Sequence, residues 1–131
     1  MSFPVQNTLS TISPQAEKAL FAFPTWTAID SESHAACTAS VAAVAGFQHC
    51  VTYVDVSFSA TLAGATQLQI LDGATVIWQT QIAITTLQFA RDFGQRPLHA
   101  SANAALTATI GDGGAGIVGT VNLAGFSVKQ P

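Results

Sequence analysis

His49-Cys50-Val51-Thr52-Tyr53-Val54-Asp55-Val56-Ser57-Phe58-Ser59-Ala60 is the stretch on which the fold turns. Val54, Val56 and Phe58 fall on one side of an extended chain, and Tyr53, Asp55, Ser57 and Ser59 on the other. Successive side chains of a strand point to opposite faces, so the stretch predicts a strand with one face in a core and one in water.

The pattern repeats downstream. Residues 66–71 place Leu68 and Ile70 inward and Gln67 and Gln69 outward, and Asp72-Gly73 signals a tight hairpin. The return strand, 75–82, puts Val76, Trp78 and Ile82 on one side. Shorter segments follow at 86–90, with Leu87 and Phe89, and around 97–100. Residues 104–110 alternate again through Leu106, Ala108 and Ile110. A Gly111-Asp112-Gly113-Gly114 loop precedes a last strand over 117–129. Upstream, 36–45 reads as β ahead of a Gly46 turn, through Thr38, Val41 and Val44. Seven or eight strands with no helical period between them predict an all-β domain over residues 36–131. Its expected form is an antiparallel β-sandwich or jelly roll.

Residues 1–35 lack the two-residue period and hold Pro4, Pro14 and Pro24. They are expected to form an N-terminal arm with one short helix. Ser13 would cap it, Pro14 would take its first position, Glu17 lies in the first turn, and Ala16, Ala19 and Leu20 make its apolar stripe. Phe3, Phe21, Phe23 and Trp26 make the arm greasy, so it is expected to dock on a neighbouring subunit or, alternatively, to fold back on its own domain; these four are the candidate residues for gripping a partner.

Composition bounds the function. Charged residues make up 8% of the 131, against about 25% in an average soluble domain. Thr, Ser, Gln, Asn and Gly take their place, so the surface is neutral and lacks the self-repulsion that keeps monomers apart. Assembly with copies of itself and with other proteins is expected. Lys18, Arg91, Arg96 and Lys129 are scattered and form no basic stripe, which argues against nucleic acid. No apolar run approaches the roughly 20 residues of a membrane span, and Met1-Ser2-Phe3-Pro4 does not open a secretion signal. Synthesis in a host cytoplasm is the expectation, and Cys37 and Cys50 are expected as buried free thiols.

No constellation carries chemistry. His34, His49 and His99 are dispersed, no nucleophile elbow occurs, and the glycines at 111–116 precede neither a helix nor a lysine. Asp55, Asp72, Asp92 and Asp112 are expected on a solvent face or at turns, and Arg91 and Asp92 in a local or interface ion pair. Cys37 and Cys50 lack metal-ligand spacing. Neither an enzyme, nor a cofactor, nor a metal is expected.

Four stretches in the second half resemble a family of small bacteriophage virion proteins: His49-Cys50-Val51-Thr52, Leu71-Asp72-Gly73-Ala74-Thr75-Val76-Ile77-Trp78, Ser101-Ala102-Asn103-Ala104-Ala105-Leu106-Thr107-Ala108, and Val121-Asn122-Leu123-Ala124-Gly125-Phe126-Ser127-Val128. Their order and spacing agree over roughly residues 46–128, and the hairpin after Asp72-Gly73 is shorter than the family's Gly-rich version. The resemblance implies a β-sandwich virion component. The reading that follows is a capsid decoration (cement) protein, a homotrimer on the capsid surface bound to the major capsid protein. A tail or baseplate component, structural or receptor-binding through a groove of Tyr53, Gln67 and Gln69, is the alternative. A stand-alone carbohydrate-binding module is a third.

Overall fold

A computed structural model describes residues 24–130. The chain runs through nine strands: β1 (Thr25–Ser33), β2 (Cys37–Val41), β3 (Phe47–Phe58), β4 (Thr66–Asp72), β5 (Thr75–Ile82), β6 (Gln88–Asp92), β7 (Leu98–Ala102), β8 (Leu106–Ile110) and β9 (Val118–Lys129). They form two antiparallel sheets, β1-β9-β3-β6 with β7 also on β3, and β2-β8-β4-β5. The result is a β-sandwich, as the alternation predicts. The pairing is nested: β1 with β9, β2 with β8, β3 with β6 and β7, β4 with β5.

The core lies where the predicted inward faces meet. Val54, Val56 and Phe58 of β3 face Leu68 and Ile70 of β4 and Leu106, Ala108 and Ile110 of β8, all of them buried. Fully burying side chains of this size stabilises by about 1.5–3 kcal/mol each before ordering costs. Gly73 closes the β4–β5 hairpin at a φ of 60°, a conformation that glycine adopts without strain. Trp78 closes one side of the sandwich, stacked on Phe89 at 6.4 Å and edge-on to Phe93 at 5.4 Å.

Two features differ from expectation. Part of the segment expected as an arm, Thr25–Ser33, is a sheet strand paired with β9 along its whole length. Its inward positions are Trp26, Ala28, Asp30 and Glu32, and the two acids conceal the apolar period. Asp30 is tolerated there because its carboxylate accepts a hydrogen bond from the Thr38 amide of β2, at 2.8 Å. The expected helix over residues 14–20 lies outside the described residues, as do Phe3, Phe21 and Phe23.

The second difference is Val76, which is 41% exposed rather than inward with Trp78 and Ile82. Ile70 pairs with Trp78 but Leu71 with Val76, so Ile77 is an extra residue in β5. A bulge of one residue exchanges the faces on its two sides.

Candidate functional site

The four-stranded sheet presents the candidate interaction surface. Of all the residues in β2, β8, β4 and β5, only Asp72 is charged. It lies at the end of β4, where its carboxylate accepts from the Ser101 amide at 2.9 Å and the Ser101 hydroxyl at 2.7 Å. The outward positions form ladders of short neutral groups. Thr38 meets Thr109 at 3.4 Å, Ser40 meets Thr107 at 3.0 Å, and the Gln69 amide donates to Gln79 at 3.0 Å. Cross-strand hydroxyl and amide pairs hold one another in place. This face therefore offers hydrogen-bonding groups already fixed in position, with no charge to desolvate on contact.

The surface continues onto an open edge. Among the described residues β5 pairs on one side only, and its eight residues, Thr-Val-Ile-Trp-Gln-Thr-Gln-Ile, include neither a charge nor a proline. Natural edges are usually blunted by lysine, proline or a covering segment. The opposite edge strand, β2, has the Asp30 carboxylate on its Thr38 amide. Among the described residues, β5 has only its bulge.

Of the four residues expected to grip a partner, Trp26 is the one described. It is half-buried against the sandwich's own core, edge-on to His49 at 6.0 Å, so it belongs to the domain and not to a free arm. Its indole Nε1 is buried and, among the described residues, has no hydrogen-bond partner. His49 is buried and held at both nitrogens: Nε2 donates to the Ala42 carbonyl at 2.8 Å, and Nδ1 accepts from the Ser127 hydroxyl at 2.7 Å. That arrangement is structural.

The remaining candidates are spread out. His34 follows β1, and its Nδ1 lies 3.2 Å from Oδ2 of Asp112. Arg91 and Asp92 do not pair with each other, because neighbours on a strand point to opposite faces; Arg91 lies over the Phe93 ring at 5.6 Å. Asp92 and Asp112 instead accept the amides two residues on, Gly94 at 2.7 Å and Gly114 at 2.8 Å, as short turns require. Cys37 and Cys50 are free and buried, and burial pushes both thiols up from their ordinary value. Among the described residues, no three His, Cys, Asp or Glu side chains gather around a point that could hold a metal. Tyr53 does not share a groove with Gln67 and Gln69: they project from different sheets.

No known family model matches the chain, and no curated protein sequence matches it.

Proposed function

We propose that the protein is a structural component of a bacteriophage particle, a decoration protein that sits as a homotrimer on the capsid against the major capsid protein. The observation that carries this reading is the uncharged outer face of β2-β8-β4-β5, continuous with the unblunted β5 edge. Neutral, preordered surfaces suit permanent packing between identical chains, where each unpaired charge would cost several kcal/mol. The nested strand order supports reading the sandwich as a jelly roll in which β6 and β7 share one strand position, an architecture used in viral capsids and in lectins. The segment before Pro24, with Phe3, Phe21 and Phe23, is the proposed grip on the shell. The same surfaces serve a tail or baseplate component, and copy number per particle separates the two placements.

The test places charge on the neutral face. The full-length parent should sediment at about three times the chain mass of 13.5 kDa. The double substitution Gln69→Lys/Thr109→Lys puts two cations per chain into the contact and should weaken association by at least about tenfold while the monomer stays folded. A parent that remains monomeric at high concentration would remove the basis for the trimer.

A further inference from the structure

The outer face of the five-stranded sheet differs in kind from its uncharged counterpart. The registers align side chains into rows across four strands. Ile29, Asn122, Asp55 and Ala90 lie abreast on β1, β9, β3 and β6. Ser57 with Gln88, and Tyr53 with Asp92, extend the rows to either side. The surface is hollowed here into an open cleft of about 570 Å³, lined by Tyr53, Asp55, Ser57, Gln88 and Asn122. That volume falls within the range of roughly 300–1,000 Å³ in which small-molecule sites occur.

A backbone irregularity aims the central side chains. Val51 pairs with Gly125 and Tyr53 with Ala124, so Thr52 is an extra residue in β3. The bulge lets Val51 and Val54 both face the core, each 0% exposed, and turns Tyr53 outward over the cleft. Bulges recur where a strand must re-aim a side chain for use.

The chemistry is specific. Asn122 Nδ2 donates to Asp55 Oδ1 at 2.8 Å, which fixes an amide and a carboxylate side by side. Desolvation and then the Asp55 charge hold the Tyr53 phenol above its ordinary value, so it remains a neutral hydroxyl at physiological pH. Among the described residues, the Ser57 hydroxyl and the Gln88 amide have no protein hydrogen-bond partner. Ile29, 68% exposed, borders Asn122 and supplies an apolar flank. The rows include two carboxylates, Asp55 and Asp92, and no cation. An anionic ligand would be repelled.

We infer that this cleft binds a neutral saccharide, with Asp55 and Asn122 reading a pair of adjacent ring hydroxyls and Tyr53 and Ile29 contacting the apolar ring face. A sugar's vicinal hydroxyls both donate and accept, which matches a fixed carboxylate–amide pair. Residue types commonly taken as solvent-facing filler thereby become a recognition set. The inference is independent of the virion reading, because it uses the opposite sheet.

The experiment is amide NMR of the full chain titrated separately with lactose, maltotriose, mannobiose and chitotriose, with 3′-sialyllactose as the anionic probe. At least one neutral probe should give saturable shifts at residues 53–57 and 88–90, with a dissociation constant on the order of 1 mM, while the sialylated probe gives none. Asp55→Ala and Gln88→Lys should each weaken that binding at least tenfold. Gln88 is exposed on β6, so its variant decides the matter should Asp55→Ala fail to fold. Absence of shifts there with all four neutral sugars at tens of millimolar would overturn the inference. So would equal binding of 3′-sialyllactose, or full binding by Gln88→Lys.

Discussion

Replacing Gly125 with alanine tests how closely the three central strands approach. Gly125 lies in β9, opposite Trp26 of β1 on one side and Val51 of β3 on the other. A Cβ there would overlap the Cys50 carbonyl oxygen and lie 2.6 Å from Cζ2 and 2.8 Å from Cη2 of the Trp26 ring. Moving the ring relieves only its own contacts, so the overlap with the strand carbonyl requires the β3–β9 ladder to loosen as well. A tryptophan buries about 150–250 Å². Giving up half of that at about 25 cal/mol per Å² costs roughly 2–3 kcal/mol. Loosening one β3–β9 hydrogen bond adds about 1 kcal/mol. With a urea m-value of about 1–3 kcal/mol per M, the unfolding midpoint should fall by more than about 1 M. Fluorescence reports the cause as well as the cost. The chain has two tryptophans, so in a Trp78→Phe background Trp26 is the sole emitter, and its emission should shift red as the ring is expelled. An alanine variant with the parental midpoint and an unshifted spectrum would refute the close-approach argument outright.

Two further outcomes follow from the described contacts. Asp72→Ala removes the carboxylate oxygen that accepts both hydrogen bonds from Ser101 near the end of β7, and should cost about 1–3 kcal/mol by urea titration, with Asp72→Asn recovering part of it. Cys37 and Cys50 are 1% and 0% exposed and their thiols are raised by burial, so at pH 8 both should react with a disulfide reagent only as fast as the chain opens. A burst of thiol reactivity in the native protein would contradict that.

Legibility in the sequence tracked the chemistry of the inward positions. β3, β4 and β8 are readable because Val54, Val56 and Phe58, then Leu68 and Ile70, then Leu106, Ala108 and Ile110 recur at every second position. β1 was hidden because Asp30 and Glu32 take inward positions, and what makes Asp30 acceptable, the Thr38 amide, belongs to another strand. Val76 was misplaced because a bulge has no local signature in a run as apolar as Thr-Val-Ile-Trp. The neutral face could be anticipated from composition alone. The cleft could not, since Asp55 and Asn122 stand 67 residues apart and meet only because β9 lies beside β3. One signal was available: asparagine and aspartate are depleted in strand interiors, and each sits in the middle of a long strand.

The absence of ionisable groups from the outer face of β2-β8-β4-β5 also sets the conditions under which a contact made there would endure. Ionic contacts fade as the Debye length shrinks from about 30 Å in dilute water to about 3 Å in brine, and they change sign as carboxylates and histidines titrate. Threonine, serine and glutamine do neither. A joint made from them would be as strong in soil water as in seawater, and indifferent to acidity between the extremes that unfold the chain itself.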